Sequence, residues 1–84
     1  MKFKISVDVM PLKTLLDPQG KAVQNIMKNQ GYENVDQVRI GKHIIFEIEA
    51  SDETEAETVS KEIAEKILIN PVIEEYQIKL EKAE

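Results

Sequence analysis

Apolar and polar residues alternate without a break from Phe3 to Val9, so Phe3, Ile5, Val7 and Val9 fall on one face of a predicted first strand. The period then changes. Asp17-Pro18-Gln19-Gly20 reads as a helix start, with Asp17 as N-cap and Pro18 at the first helical position, where no intrahelical amide bond is needed. Ala22, Val23, Ile26 and Met27 supply the apolar stripe of that helix. Gly31 suits the left-handed residue just past its end, with Tyr32 placed to fold back onto Met27.

Period two returns from Val35 to Ala50 and is interrupted at Gly41, which predicts two short strands paired as a hairpin. Val38 and Ile40 face inward on the first arm. Ile44, Phe46, Ile48 and Ala50 do so on the second, with His43, Ile45, Glu47 and Glu49 pointing outward. A second helix starts near Asp52, whose side chain and that of Glu55 can satisfy each other's unpaired amides. Ala56, Val59, Ile63 and Ile67 then recur at helical spacing until Asn70-Pro71 closes the helix. A last strand follows. Val72, Tyr76, Ile78 and Leu80 take one side of it and Ile73, Glu75, Gln77 and Lys79 the other, and residues 81–84 are expected to fray.

This order predicts one domain, residues 1–84, of the α+β class: a ferredoxin-like βαββαβ sandwich with a four-stranded antiparallel sheet and two helices on one face. The uncovered face would carry Lys2, Lys4 and Lys79 beside Glu47, Glu49 and Glu75, with Ile45 and Ile73 among them. Mixed charge with embedded aliphatics suits a protein interface, and the plainer reading is a solvated face with two scattered aliphatics.

Composition narrows the function. A chain of 84 residues with no cysteine buries a thin core, so association with another subunit is the expected extra source of stability. A net charge of −5 works against nucleic acid and anionic lipid as partners. No apolar stretch has signal-peptide or membrane-spanning length, so a cytoplasmic location is expected.

Candidate chemistry is sparse. His43 is the single histidine, and Ser6, Ser51 and Ser60 fit a strand, a helix start and a helix. The acids around Asp52 to Glu57 suit the positive end of the second helix, and Glu74 and Glu75 point to opposite faces of a strand. Arg39-Ile40-Gly41-Lys42 is the nearest approach to an anion site, and the pattern favours the plainer reading, a tight turn with two solvent-facing cations. Gly20 is unusual. A glycine in the first helical turn is unfavourable by up to ~1 kcal/mol against alanine, which points to another backbone or a ligand passing close by. The outward strand positions lack the aromatics that stack RNA bases, and an acylphosphatase-like site lacks an arginine in the loop after the first strand. No catalytic, cofactor-binding or metal-binding residue is predicted.

Asp17-Pro18-Gln19-Gly20-Lys21, Val38-Arg39-Ile40-Gly41-Lys42 and Asn70-Pro71-Val72-Ile73-Glu74-Glu75-Tyr76 together resemble the PurS family in order, spacing and total length. The loop Met10-Pro11-Leu12-Lys13-Thr14 matches that pattern least. The resemblance implies a helper subunit of formylglycinamide ribonucleotide amidotransferase, in the fourth step of purine biosynthesis. In such systems a glutaminase subunit (PurQ) releases ammonia, a synthetase subunit (PurL) activates the amide, and PurS dimers bridge the two. It further implies self-association as a dimer or tetramer, no cofactor, and Asp17, Gln19, Arg39 and Lys42 as partner-contacting residues. Arg39 is the stronger of the two cations, since its planar fork binds a carboxylate through two hydrogen bonds. The runner-up is a regulatory module resembling ACT domains, with Gly20 and Gly41 lining an effector site at a dimer interface.

Overall fold

The computed structural model of the chain describes residues 1–83. The first strand, β1 (Lys2–Pro11), is followed by α1 (Pro18–Asn29), β2 (Lys42–Glu49), α2 (Glu53–Ile63), a π-helical turn Ala64–Leu68 and β3 (Glu74–Lys82). The sheet is antiparallel in the order β2-β1-β3, so β1 is the central strand. Its inward residues Phe3, Ile5, Val7 and Val9 are sealed from solvent, each at most 1 % exposed. Ala56, Ser60 and Ala64, one turn apart on α2 and its π-helical extension, are also buried. Their small side chains let that helix come close over β1 and β3, the strands it packs against.

The expected four-stranded sheet is corrected to three strands, because residues 35–41 are not a strand. Gln37 has φ +53°, outside the extended region. The amides that a ladder would use are taken by side chains. The Gln37 N–H donates to Asp36 Oδ1 (2.9 Å), the Val38 N–H to Gln24 Oε1 (3.1 Å) and the Ile40 N–H to Asp17 Oδ2 (2.8 Å). The segment is thus tied to α1 and lost to the sheet.

The helices also depart from the predicted layout. Neither is missing, yet α1 is not packed on the sheet: among the described residues it has no substantial packing with any strand or with α2. Its stripe is only partly covered, with Val23 and Met27 half-buried, Ala22 exposed and Ile26 59 % exposed. The inward residues Ile44, Phe46 and Ile48 of β2 are only half-buried, since α2 covers β1 and β3 and α1 leaves β2 uncovered. The predicted helix ends hold. Gly31 has φ +100°, and the Tyr32 N–H donates to the Met27 carbonyl (3.0 Å). At α2, Asp52 Oδ1 accepts from the Glu55 N–H (2.8 Å), and the Glu55 side chain reaches back to the Ser51 N–H (3.0 Å). Strand β3 continues past residue 80, pairing Glu81 with Lys4 and Lys82 with Phe3; residue 84 of the expected frayed end lies outside the described residues.

The exposed face of the sheet neutralises itself across the strands. Lys4 lies opposite Glu47 on one side and Glu81 on the other, with its Nζ 3.8 Å from the Glu81 carboxylate. Asp8 faces His43, and the Met1 amino group lies 3.4 Å from Glu49. Ile45 is the exposed aliphatic of this face, at 52 %; Ile73 lies instead in the turn before β3.

Candidate functional site

A cleft of about 610 Å³ opens where the β1–α1 loop, the first turn of α1, the segment 40–42 and the start of β3 converge. Asp17 organises it. One carboxylate oxygen caps α1 through the Gly20 N–H (2.9 Å) and the other accepts from Ile40 across the cleft base (2.8 Å). The Gly20 bond, then the Ile40 bond, stabilise the charged form and hold the Asp17 pKa below its ordinary value of 3.8. Gly20 is required by the same arrangement. A Cβ there would lie 2.2 Å from the Val38 carbonyl oxygen, so the backbone inferred from the sequence to pass close by is that of residue 38.

The four residues singled out from the sequence are partly brought together. Asp17, Gln19 and Lys42 all line the cleft. Lys42 Nζ is 3.6 Å from a Glu74 carboxylate oxygen. Arg39 does not line that cleft; it borders an adjoining depression beside Met10, Lys13 and Glu75, near enough to Asp17 for its charge to help lower that pKa. Its guanidinium donates to the Pro11 carbonyl and lies 4.0 Å from Glu75, so its fork is partly engaged within the chain. Sequence reasoning did not name Glu74, Leu15, Leu16 or Ile73 as site residues, and all four border the cleft. Leu15-Leu16, an apolar pair just ahead of a helix cap and outside any periodic stretch, was the signal available for two of them.

The remaining candidates have structural surroundings. Asn70 Oδ1 accepts from the Val72 N–H (3.1 Å) and the Asn70 N–H donates to Glu74 (2.8 Å), which shapes the turn into β3. The Tyr76 hydroxyl donates to Glu65 (2.8 Å); burial, then Glu65, raises its pKa. His43 Nδ1 lies 2.5 Å from Asp8 Oδ1 on the exposed sheet face. Gly20 and Gly41 do not open onto a ligand as the ACT-like reading requires. Gly41 borders the cleft, but its vacant Cβ position is turned onto the Val9 carbonyl and Met10 Sδ, as that of Gly20 is onto Val38. The arrangement is a tied junction of three backbones, with paired charges and an apolar lining.

Residues 4–82 match the family model described as PurS: Phosphoribosylformylglycinamidine (FGAM) synthase. The chain belongs to the PurS family. It is 41 % identical over 80 residues to the phosphoribosylformylglycinamidine synthase subunit PurS of Bacillus subtilis, covering 95 % of this chain and 94 % of that one. The PurS subunit of Methanocaldococcus jannaschii is 34 % identical over 82 residues, covering 98 % and 99 %. Solved structures agree with the fold. Bacillus subtilis PurS superposes with a TM-score of 0.86, over 95 % of this chain and 99 % of that one. A chain of the PurLQS structure from Thermotoga maritima, 31 % identical, reaches 0.88 over 96 % and 99 %. PurS membership makes the chain a subunit of phosphoribosylformylglycinamidine synthase, in purine biosynthesis.

Proposed function

We propose that this PurS-family chain is the non-catalytic assembly subunit of its synthase: it associates with itself and bridges a glutaminase subunit, PurQ, and a synthetase subunit, PurL, so that ammonia passes between them. Its workplace is the cytoplasm. The likeness to a chain of a PurLQS structure supports the choice of partners. The observation that carries the reading is the unfinished packing of the single chain. The α1 stripe around Ile26 and the margin of the sheet under Ile44, Phe46 and Ile48, the latter half-buried, are two apolar surfaces with incomplete cover. They cannot close on each other within one chain, since Asp17, Gly20 and Gln24 fasten α1 to residues 38–40. A second copy can supply each with the other, and a two-fold arrangement makes the exchange reciprocal. In this reading Asp17 and Gln19 shape the cleft that a partner meets, and Arg39 and Lys42 supply charge at its edges.

Reconstitution tests the role. Mixed with the two larger subunits, the chain is expected to support glutamine-dependent formation of the amidine. Leaving it out should abolish most of that activity while ammonia-dependent synthesis by the synthetase subunit survives. Equal glutamine-dependent activity with and without the chain would refute the assembly role.

A further inference from the structure

The loop between β1 and α1 raises an apolar crest at the mouth of the cleft. Leu16 is 78 % exposed and Leu15 43 %, and Ile73 faces them across the opening at 45 %. The loop is pinned at both ends. The Leu15 N–H donates to the Leu12 carbonyl (3.0 Å) and the Leu12 N–H to the Ile73 carbonyl (2.9 Å), while Asp17, the next residue after the crest, is bound to Gly20 and Ile40. A leucine on a tethered turn cannot tuck away from water as one on a loose loop does, so this apolar surface stands presented.

Its surroundings are positive. A further hollow, of about 370 Å³, places Lys13 and Lys21 beside the two leucines with Asp17 as its carboxylate; Arg39 also lines it, with its guanidinium engaged by the Pro11 carbonyl and near Glu75. The Asp17 carboxylate is occupied by two amides, and Lys13 and Lys21 form no ion pair among the described residues. Residues 10–42 hold five cations against three carboxylates, a positive surplus in a chain whose net charge is −5. The acids of the remainder disfavour a polyphosphate backbone or an anionic bilayer, which require an extended positive surface. The surfaces offered to a second copy, the α1 stripe and the margin under β2, do not include the crest.

We infer that the crest docks into an apolar groove rimmed by carboxylates on one of the larger synthase subunits, with Leu16 entering the groove and Lys13 and Lys21 meeting its rim. This rests on the assembly reading. The test titrates the full chain, Leu16→Asp, Leu16→Ala and the double reversal Lys13→Glu/Lys21→Glu onto purified PurL and PurQ separately by calorimetry. The unaltered chain is expected to bind one of them, Leu16→Ala about tenfold more weakly, and Leu16→Asp about 30-fold or more weakly. The double reversal should bind more weakly at about 0.1 M salt and approach the unaltered chain near 0.5 M, as screening removes the charge term. Free variants should keep the sedimentation rate and melting midpoint of the unaltered chain. Undiminished binding of the Leu16 variants to both subunits would overturn the inference. A variant that sediments as a lighter species would overturn it too, assigning the crest to a second copy. An unaltered chain that binds neither subunit removes the assembly reading and the crest together, whereas loss confined to the variants leaves both standing.

Discussion

At Gly20 helix propensity and tertiary packing give opposite signs. By propensity alone, alanine in the first turn of α1 is favoured by up to ~1 kcal/mol. The Val38 carbonyl oxygen, 2.2 Å from the position of the added Cβ, reverses that, because backbone on both sides is held by Asp17. Gly20→Ala is expected to destabilise the chain by about 2 kcal/mol, measured by urea unfolding at fixed protein concentration. Ser60 behaves oppositely. It is fully buried on α2 between Ala56 and Ala64, and its Oγ has no hydrogen-bond partner among the described residues. Ser60→Ala removes an unpaired hydroxyl and restores the best helix former, so it should raise stability by about 1 kcal/mol in the same assay.

The elements that were legible in the sequence are those whose side chains decide their own fate. The period of two from Phe3 to Val9 became the sealed central strand, and the caps at Asp17, Gly31 and Asp52 were read from residue chemistry. Val35 to Gly41 misled because alternating apolar residues describe an extended chain and say nothing of where its amides are spent. Side chains from α1 and Asp36 claimed them. Of the four predicted site residues, Asp17, Gln19 and Lys42 meet at the cleft because α1 is tied beside residues 38–42, a tertiary fact that spacing does not encode; Arg39 turns instead to the Pro11 carbonyl. The tie has a pH signature. The amides of Gly20 and Ile40 favour the Asp17 carboxylate, so the folded chain binds that proton less tightly than the unfolded one, whose value is near 3.8. The stabilisation is complete above that value and is lost as pH falls through the lowered folded pKa. Acid titrations of the melting midpoint should therefore show a loss below about pH 4 that is reduced in Asp17→Asn, which is less stable than the unaltered chain at neutral pH.

The whole molecule is a bar rather than a ball. Its Cα extents are 51 × 28 × 14 Å and its radius of gyration is 16.5 Å, against roughly 12 Å for a compact domain of this length. The excess comes from α1 standing clear of the sheet, and in the proposed assembly a second copy covers it. The melting midpoint is expected to rise with protein concentration, and Ile26→Asp, at a 59 % exposed position, should shift sedimentation toward the monomer with helix content retained. The order β2-β1-β3 has its own consequence for the sequence of folding events. Phe3 pairs with Ile48 on one side and with Lys82 on the other, so β1 finds its first neighbour about halfway along the chain and its second only near the end. The central strand is flanked on both sides along its whole length only when Lys82 has joined the sheet. Such distant closures put folding on the slow side for so short a chain, and the central strand is among the last to be protected on both edges.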